Sequence, residues 1–188
     1  MKTAIILHGM ARREVYYDPS YDSQGSSHWL PWLQRQLQVR DYLAQTPEMP
    51  RPYAPEFAAW RDIFERHGPD KETLLVGYSC GAGFLVRWLS ENKEVQVGHV
   101  VLVAPWLDLE RAHGDLFDFI IDPEIVNRCA RMSIVHSDND HLPMQRTVQL
   151  LQSTLGNADY HEFHNYGHFC LKHIGGREFP ELLDICLK

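Results

Sequence analysis

Six short runs of β-forming residues alternate with stretches of helical period along the whole chain, and this alternation restricts the fold more than any other feature. Thr3–His8, Tyr42–Thr46, Thr73–Gly77, His99–Ala104, Ser133–His136 and Asp159–His164 are the strand candidates, and several are continuously apolar (AIIL, TLLVG, VVLVA). A strand with one wet face alternates polar and apolar residues. A continuous run needs cover on both faces, as in a parallel sheet between two helical layers. The segments between are His28–Gln38, Pro55–His67, Ala82–Ser90, Leu142–Leu155 and Phe179–Leu187. In the first, Trp29, Leu30, Leu33 and Leu37 form one stripe, with Arg35 and Gln36 turned outward; Val148, Leu150, Leu151 and Leu155 repeat the pattern in the fourth. Successive βαβ units with right-handed crossovers predict a three-layer α/β/α sandwich around a mostly parallel six-stranded sheet. The 188 residues fit one domain, residues 1–188, large enough for a core that needs no staples.

Charge and composition exclude several function classes. Lys and Arg number 18 against 25 Asp and Glu, a net charge of −7, so a nucleic-acid partner, which needs a basic face, is not expected. The longest apolar run, Val100–Leu107, falls far short of a membrane span, and Ala4–Leu7, stopped by His8, does not read as an export signal. The expectation is a cytoplasmic chain with no membrane partner. Cys80, Cys129, Cys170 and Cys186 show no C-x-x-C pair and read as free thiols. Two stretches interrupt the alternation. Residues 11–27, polar and rich in Tyr, Asp, Ser and Gly, exceed an ordinary βα connection and read as a functional loop; residues 105–131 read as irregular helical decoration.

Gly77-Tyr78-Ser79-Cys80-Gly81 follows the apolar run Leu74–Val76 and precedes the apolar positions Phe84, Leu85, Trp88 and Leu89. A G-x-S-x-G pattern alone is weak, and an ordinary Gly-rich βα turn is its plain reading. Between a strand and a helix it has the form of a nucleophile elbow, in which a strained serine is lifted above the sheet and flanking glycines avoid collision. Such a serine needs a base and an orienting acid, in the chain order Ser, acid, His. His168, after Gly167 in a loop following the last strand candidate, suits the base; Asp138 and Asp140, after the fifth, can each hold its tautomer. The Cys80 amide at the following helix start and the Met10 amide after Gly9 are the candidate oxyanion donors.

These residues resemble the small α/β-hydrolase-fold serine hydrolases that include retinoblastoma-binding protein 9 and its bacterial relatives. The likeness spans nearly the whole chain: His8-Gly9, the Ser27-His28-Trp29-Leu30-Pro31-Trp32-Leu33 helix start, the elbow, the Ser137-Asp138-Asn139-Asp140 turn and Gly167-His168-Phe169. It implies a minimal α/β-hydrolase fold, carboxylester hydrolysis of a small acyl substrate without cofactor or metal, and Ser79, Asp140 and His168 as the triad. The run His141-Leu142-Pro143 is one residue shorter than the family's usual run to proline, which keeps Asp138 as runner-up, and the 11–27 loop is longer than in relatives.

Other features carry weaker readings. Asp108, after the fourth strand candidate, is a third acid position, with a solvated helix-start carboxylate as the plain alternative. Cys80 reads as a buried filler. His161, His164, His168 and His173 lack the geometry and companions of a metal set. Tyr16, Tyr17 and Trp106 are the candidate substrate-binding residues, with Tyr21 in the same loop; Arg12 and Arg13 can attract an anion or lie solvated. The competing function is a protein-binding scaffold that keeps this fold without using it for catalysis.

Overall fold

The computed structural model describes residues 1–188. The elements are, in chain order, β1 (Lys2–Leu7), α1 (Arg13–Tyr17), α2 (Leu30–Gln38), β2 (Tyr42–Gln45), α3 (Phe57–Glu65), β3 (Leu74–Tyr78), α4 (Cys80–Glu91), β4 (Val97–Val103), β5 (Cys129–Ser137), α5 (Leu142–Thr154), β6 (Asp159–Phe163), α6 (Leu171–Ile174) and α7 (Pro180–Cys186). All six strands join one sheet in the order β2-β1-β3-β4-β5-β6, and every pairing is parallel.

The continuously apolar strands feed two cores, one on each face. Ala4 and Ile6 of β1 pack with Val76, Val101, Val103 and Val135 under α2 and α7, through Leu30, Leu33, Leu37, Leu182 and Ile185. Ile5 and Leu7 point the other way, with Leu75, Val100, Leu102 and Ile134, under α3, α4 and α5, where Phe57, Trp60, Phe64, Phe84 and Leu151 lie. Period-two alternation therefore separates the cores rather than separating core from water. Phe84 is fully buried at the centre of an aromatic group, its ring 5.5 Å from those of Phe57 and Phe64 and 5.8 Å from Trp60. Truncating such a side chain typically costs about 3–5 kcal/mol.

Two stretches differ from the simple reading. Within 11–27 the chain forms the short helix α1 and a 3-10 turn at Gln24–Ser26. The 105–131 stretch ends in a 3-10 turn at Pro123–Arg128, capped by the Asp122 side chain, and β5 begins at Cys129, four residues ahead of its expected start. The chain leaves β1 for one side of the sheet and returns through β3 on the other. This reversal opens a crevice at the carboxyl ends of β1 and β3, where sheets of this kind receive their ligands.

Candidate active site

Ser79 sits where β3 passes into α4, with φ +54° and ψ −115°, a region that L-residues avoid. Holding it there costs on the order of 1–3 kcal/mol, which the surrounding packing must offset. That packing leaves no room for side chains at the flanking glycines. A Cβ on Gly77 would lie 2.6 Å from Ala82 Cα, and one on Gly81 would lie 2.5 Å from the His8 carbonyl oxygen. Cys80, beside the serine, is fully buried and burial drives its thiol pKa up, the opposite of what a nucleophilic thiol needs.

His168 Nε2 lies 3.0 Å from Ser79 Oγ, and its Nδ1 lies 2.9 and 3.0 Å from the two carboxylate oxygens of Asp140. The Asp140 side chain is 3% exposed and also accepts the His141 amide at 2.6 Å. Its contact with Nδ1 keeps a proton on that nitrogen and leaves Nε2 to accept from the serine. The three groups sit on a short line, although 89 residues separate Ser79 from His168.

The aspartates the sequence left open have different partners. Asp138 accepts from the Asn165 amide and from His164 Nδ1, both at 2.9 Å. The Asn165 amide, then the His164 side chain, hold its carboxyl below the usual range, and the same carboxylate raises the His164 pKa. Asp108 is 5% exposed, not solvated, and accepts the His113 amide at 2.7 Å within its own loop. Asn139 completes the turn: its Oδ1 accepts from the Gly167 amide at 2.7 Å, while Ser137 Oγ accepts from the Tyr166 amide at 3.0 Å. Ser137, Asp138 and Asn139 thus clasp the loop that bears His168, and Asp140 meets its ring.

Two positioning groups stand within motifs, but the sequence assigned neither of them this role. Tyr78, 4% exposed, donates its hydroxyl to the His168 carbonyl at 2.7 Å, which ties the end of β3, next to Ser79, to the loop that bears His168. Burial is the main cause that pushes its pKa up. His8, 1% exposed, donates from Nδ1 to the Gly9 carbonyl and accepts the Met49 amide at Nε2, each at 2.8 Å. Burial lowers its pKa, consistent with a neutral ring that fixes the Gly9–Met10 turn. That turn runs close over the serine: a Cβ on Gly9 would stand 3.1 Å from Ser79 Cβ. The Met10 amide, outside any element, donates to no group of the protein. The Cys80 amide is the first of α4 and belongs to the unpaired N–H groups of a helix start.

A cleft of about 430 Å³ opens beside this turn, lined by Met10, Arg12, Tyr21, His28, Leu171 and Arg177 among others. The other candidate substrate residues lie elsewhere. Tyr16 lines a neighbouring hollow with Val15 and Tyr21. Tyr17 turns its hydroxyl to that of Tyr53 at 2.8 Å, with the Arg13 guanidinium over both rings. Trp106 packs edge-on to Phe117 and His113 and lines a separate hollow with Asp108 and Pro143. The 11–27 segment is pinned down. The Ala11 amide donates to the Pro52 carbonyl, the Glu48 carboxylate accepts from the Gln24 and Gly25 amides, and Arg177 donates to the Ser26 carbonyl and to Asp22.

An all-parallel sheet with this strand order and a serine at a strained strand-to-helix turn makes the molecule an α/β hydrolase in fold. The chain belongs to the family described as "Serine hydrolase", which matches residues 15–185. It is 26% identical over 185 residues to YdeN of Bacillus subtilis (strain 168), covering 92% of this chain and 94% of that one. The crystal structure of the B. subtilis ydeN gene product superposes with a TM-score of 0.80 at 22% identity, covering 100% of this chain and 97% of the other. A YdeN-like protein from Pectobacterium atrosepticum gives 0.66 at 15% identity over 99% and 90% of the two chains. A structure reported with the metagenome-derived lipolytic enzymes LipS and LipT gives 0.66 at 14% over 98% and 91%.

Proposed function

We propose that this serine hydrolase cleaves a small carboxylic ester through an acyl-enzyme intermediate. The observation that carries the reading is the line from Ser79 Oγ through His168 to the buried Asp140 carboxylate. In this mechanism Ser79 Oγ attacks the ester carbonyl carbon while its proton passes to His168 Nε2. The imidazolium keeps its Nδ1–H on Asp140, and the negative charge on the former carbonyl oxygen is met by the Met10 and Cys80 amides. Each such donor typically contributes about 10²–10³ in rate. His168 then gives the Nε2 proton to the departing alcohol. Water, deprotonated by the same nitrogen, attacks the acyl group and releases the acid and Ser79. The chemistry calls for no metal or cofactor. The cleft of about 430 Å³ next to Met10 suits a small substrate. One structural neighbour of the same fold was reported with the lipolytic enzymes LipS and LipT, and lipolysis cleaves an ester bond.

Labelling with a fluorophosphonate probe tests the reading. Wild-type protein takes the label and turns over p-nitrophenyl acetate, and Ser79→Ala does neither. Labelling that persists in Ser79→Ala rejects the assignment. A wild type that neither labels nor turns over any of a panel of small esters favours the binding-scaffold alternative.

A further inference from the structure

His173 lies on α6, five residues beyond His168, and takes no part in the chemistry set out above. Its side chain is exposed, yet its Nδ1 accepts the His168 backbone N–H at 2.8 Å. The carbonyl of the same residue accepts the Tyr78 hydroxyl at 2.7 Å. Side chains therefore hold both polar backbone groups of His168, one from the interior and one from α6. The ring also seats against the backbone bend before it. Gly167 has φ +51°, and a Cβ there would meet His173 Nδ1 at 2.6 Å. We propose that His173 is a positioning residue that fixes the backbone of His168 and so keeps His168 Nε2 in line with Ser79; the proposal rests on the reading of His168 as the general base.

An imidazole nitrogen accepts only when it carries no proton, so the contact requires neutral His173 with its proton on Nε2. Protonation would set an Nδ1–H against the His168 N–H, donor against donor. The ionisable groups facing His173 are Lys172 on its own helix, His141 ahead of α5, His168 and Asp140 in the candidate triad, and His28 ahead of α2. Burial first, then Lys172, His141 and His168, make protonation harder, and Asp140 alone opposes them. The contact is therefore intact at neutral pH and fails in acid, below the ordinary histidine value of about 6.5.

The test is steady-state hydrolysis of p-nitrophenyl butyrate from about pH 5 to about pH 8, by wild type, His173→Asn and His173→Ala. Asparagine places its Oδ1 near the former Nδ1 and does not titrate. His173→Ala is expected to lose about five- to tenfold in kcat with KM within about twofold, and His173→Asn to stay within about twofold in both. The acid limb of kcat/KM should be steeper than one ionisation in wild type and reduce to one ionisation in His173→Asn. Full kcat in His173→Ala overturns the proposal, as does an acid limb of the same shape in wild type and His173→Asn. So does a kcat loss in His173→Ala matched by an equal loss of folded protein by circular dichroism. Each of these failures occurs in a protein whose turnover depends on Ser79. A wild type without Ser79-dependent turnover instead overturns the hydrolase reading, and this proposal with it.

Discussion

Asp138 and Asp140 lie two residues apart in one turn, and only main-chain geometry decides which carboxylate reaches the imidazole. Asp140→Asn should lower kcat by roughly 10³–10⁴, because an amide no longer holds the productive tautomer. Asp138→Asn removes only a loop anchor that stands in water, so its loss should stay within about tenfold. Parallel kinetics on the two purified variants check the contrast; equal losses would contradict the separation of roles. Tyr78→Phe deletes the hydroxyl that meets the His168 carbonyl. It should cost about 1 kcal/mol in unfolding free energy and lower kcat with little change in KM, as read by urea titration and steady-state kinetics. The pairing of Ser79 with His168 was legible in the sequence because Ser79 stands two residues from a glycine on either side, between a strand and a helix, and His168 directly follows Gly167 in a late loop. The choice of Asp140 over Asp138 needed the family likeness, and the coordinates separate their partners. Tyr78, His8 and His173 were invisible in that role, because each acts through a backbone group of another residue, near or far, and no spacing rule records such a partner.

The strand-to-helix turn at Ser79 is the element on which the rest of the site depends. It fits because the Gly77 and Gly81 positions press on Ala82 and on the end of β1. Gly81→Ala should force β1 and α4 apart, lowering the melting temperature by several degrees and abolishing probe labelling; a variant that labels normally would show that the contact can relax. The strands and larger helices were readable from apolar periodicity, with boundaries shifted by a few residues. The short helix α1 was not. It spans five residues and buries none of them, so it has no apolar stripe to detect. Its position comes instead from partners outside the segment, such as Tyr53 against Tyr17 and Pro52 against Ala11. For the same reason the tyrosines of that segment do not share one cleft. Tyr21 faces it, while Tyr17 is spent on Tyr53.

Across the whole molecule, several histidines contribute to the response to acid. Burial is the leading cause that lowers the pKa of His8, His28, His99, His136 and His161, and it takes His99 down to about 4. Unfolding returns each to the ordinary value of about 6.5, so between those values the unfolded chain binds more protons than the folded one. Stability from these groups is complete above pH 6.5 or so and declines as pH falls, for His99 until about 4. Urea midpoints at a series of pH values should show this decline, and His99→Gln should make it shallower. Ser79 directly follows β3, a strand in the middle of the sheet that is buried along its full length, whereas His168 follows the rim strand β6, none of whose residues is fully buried. Fraying begins at rims. On gentle heating the hydrolytic machinery should therefore come apart while most of the architecture still stands, and turnover should vanish at a lower temperature than the helical circular-dichroism signal.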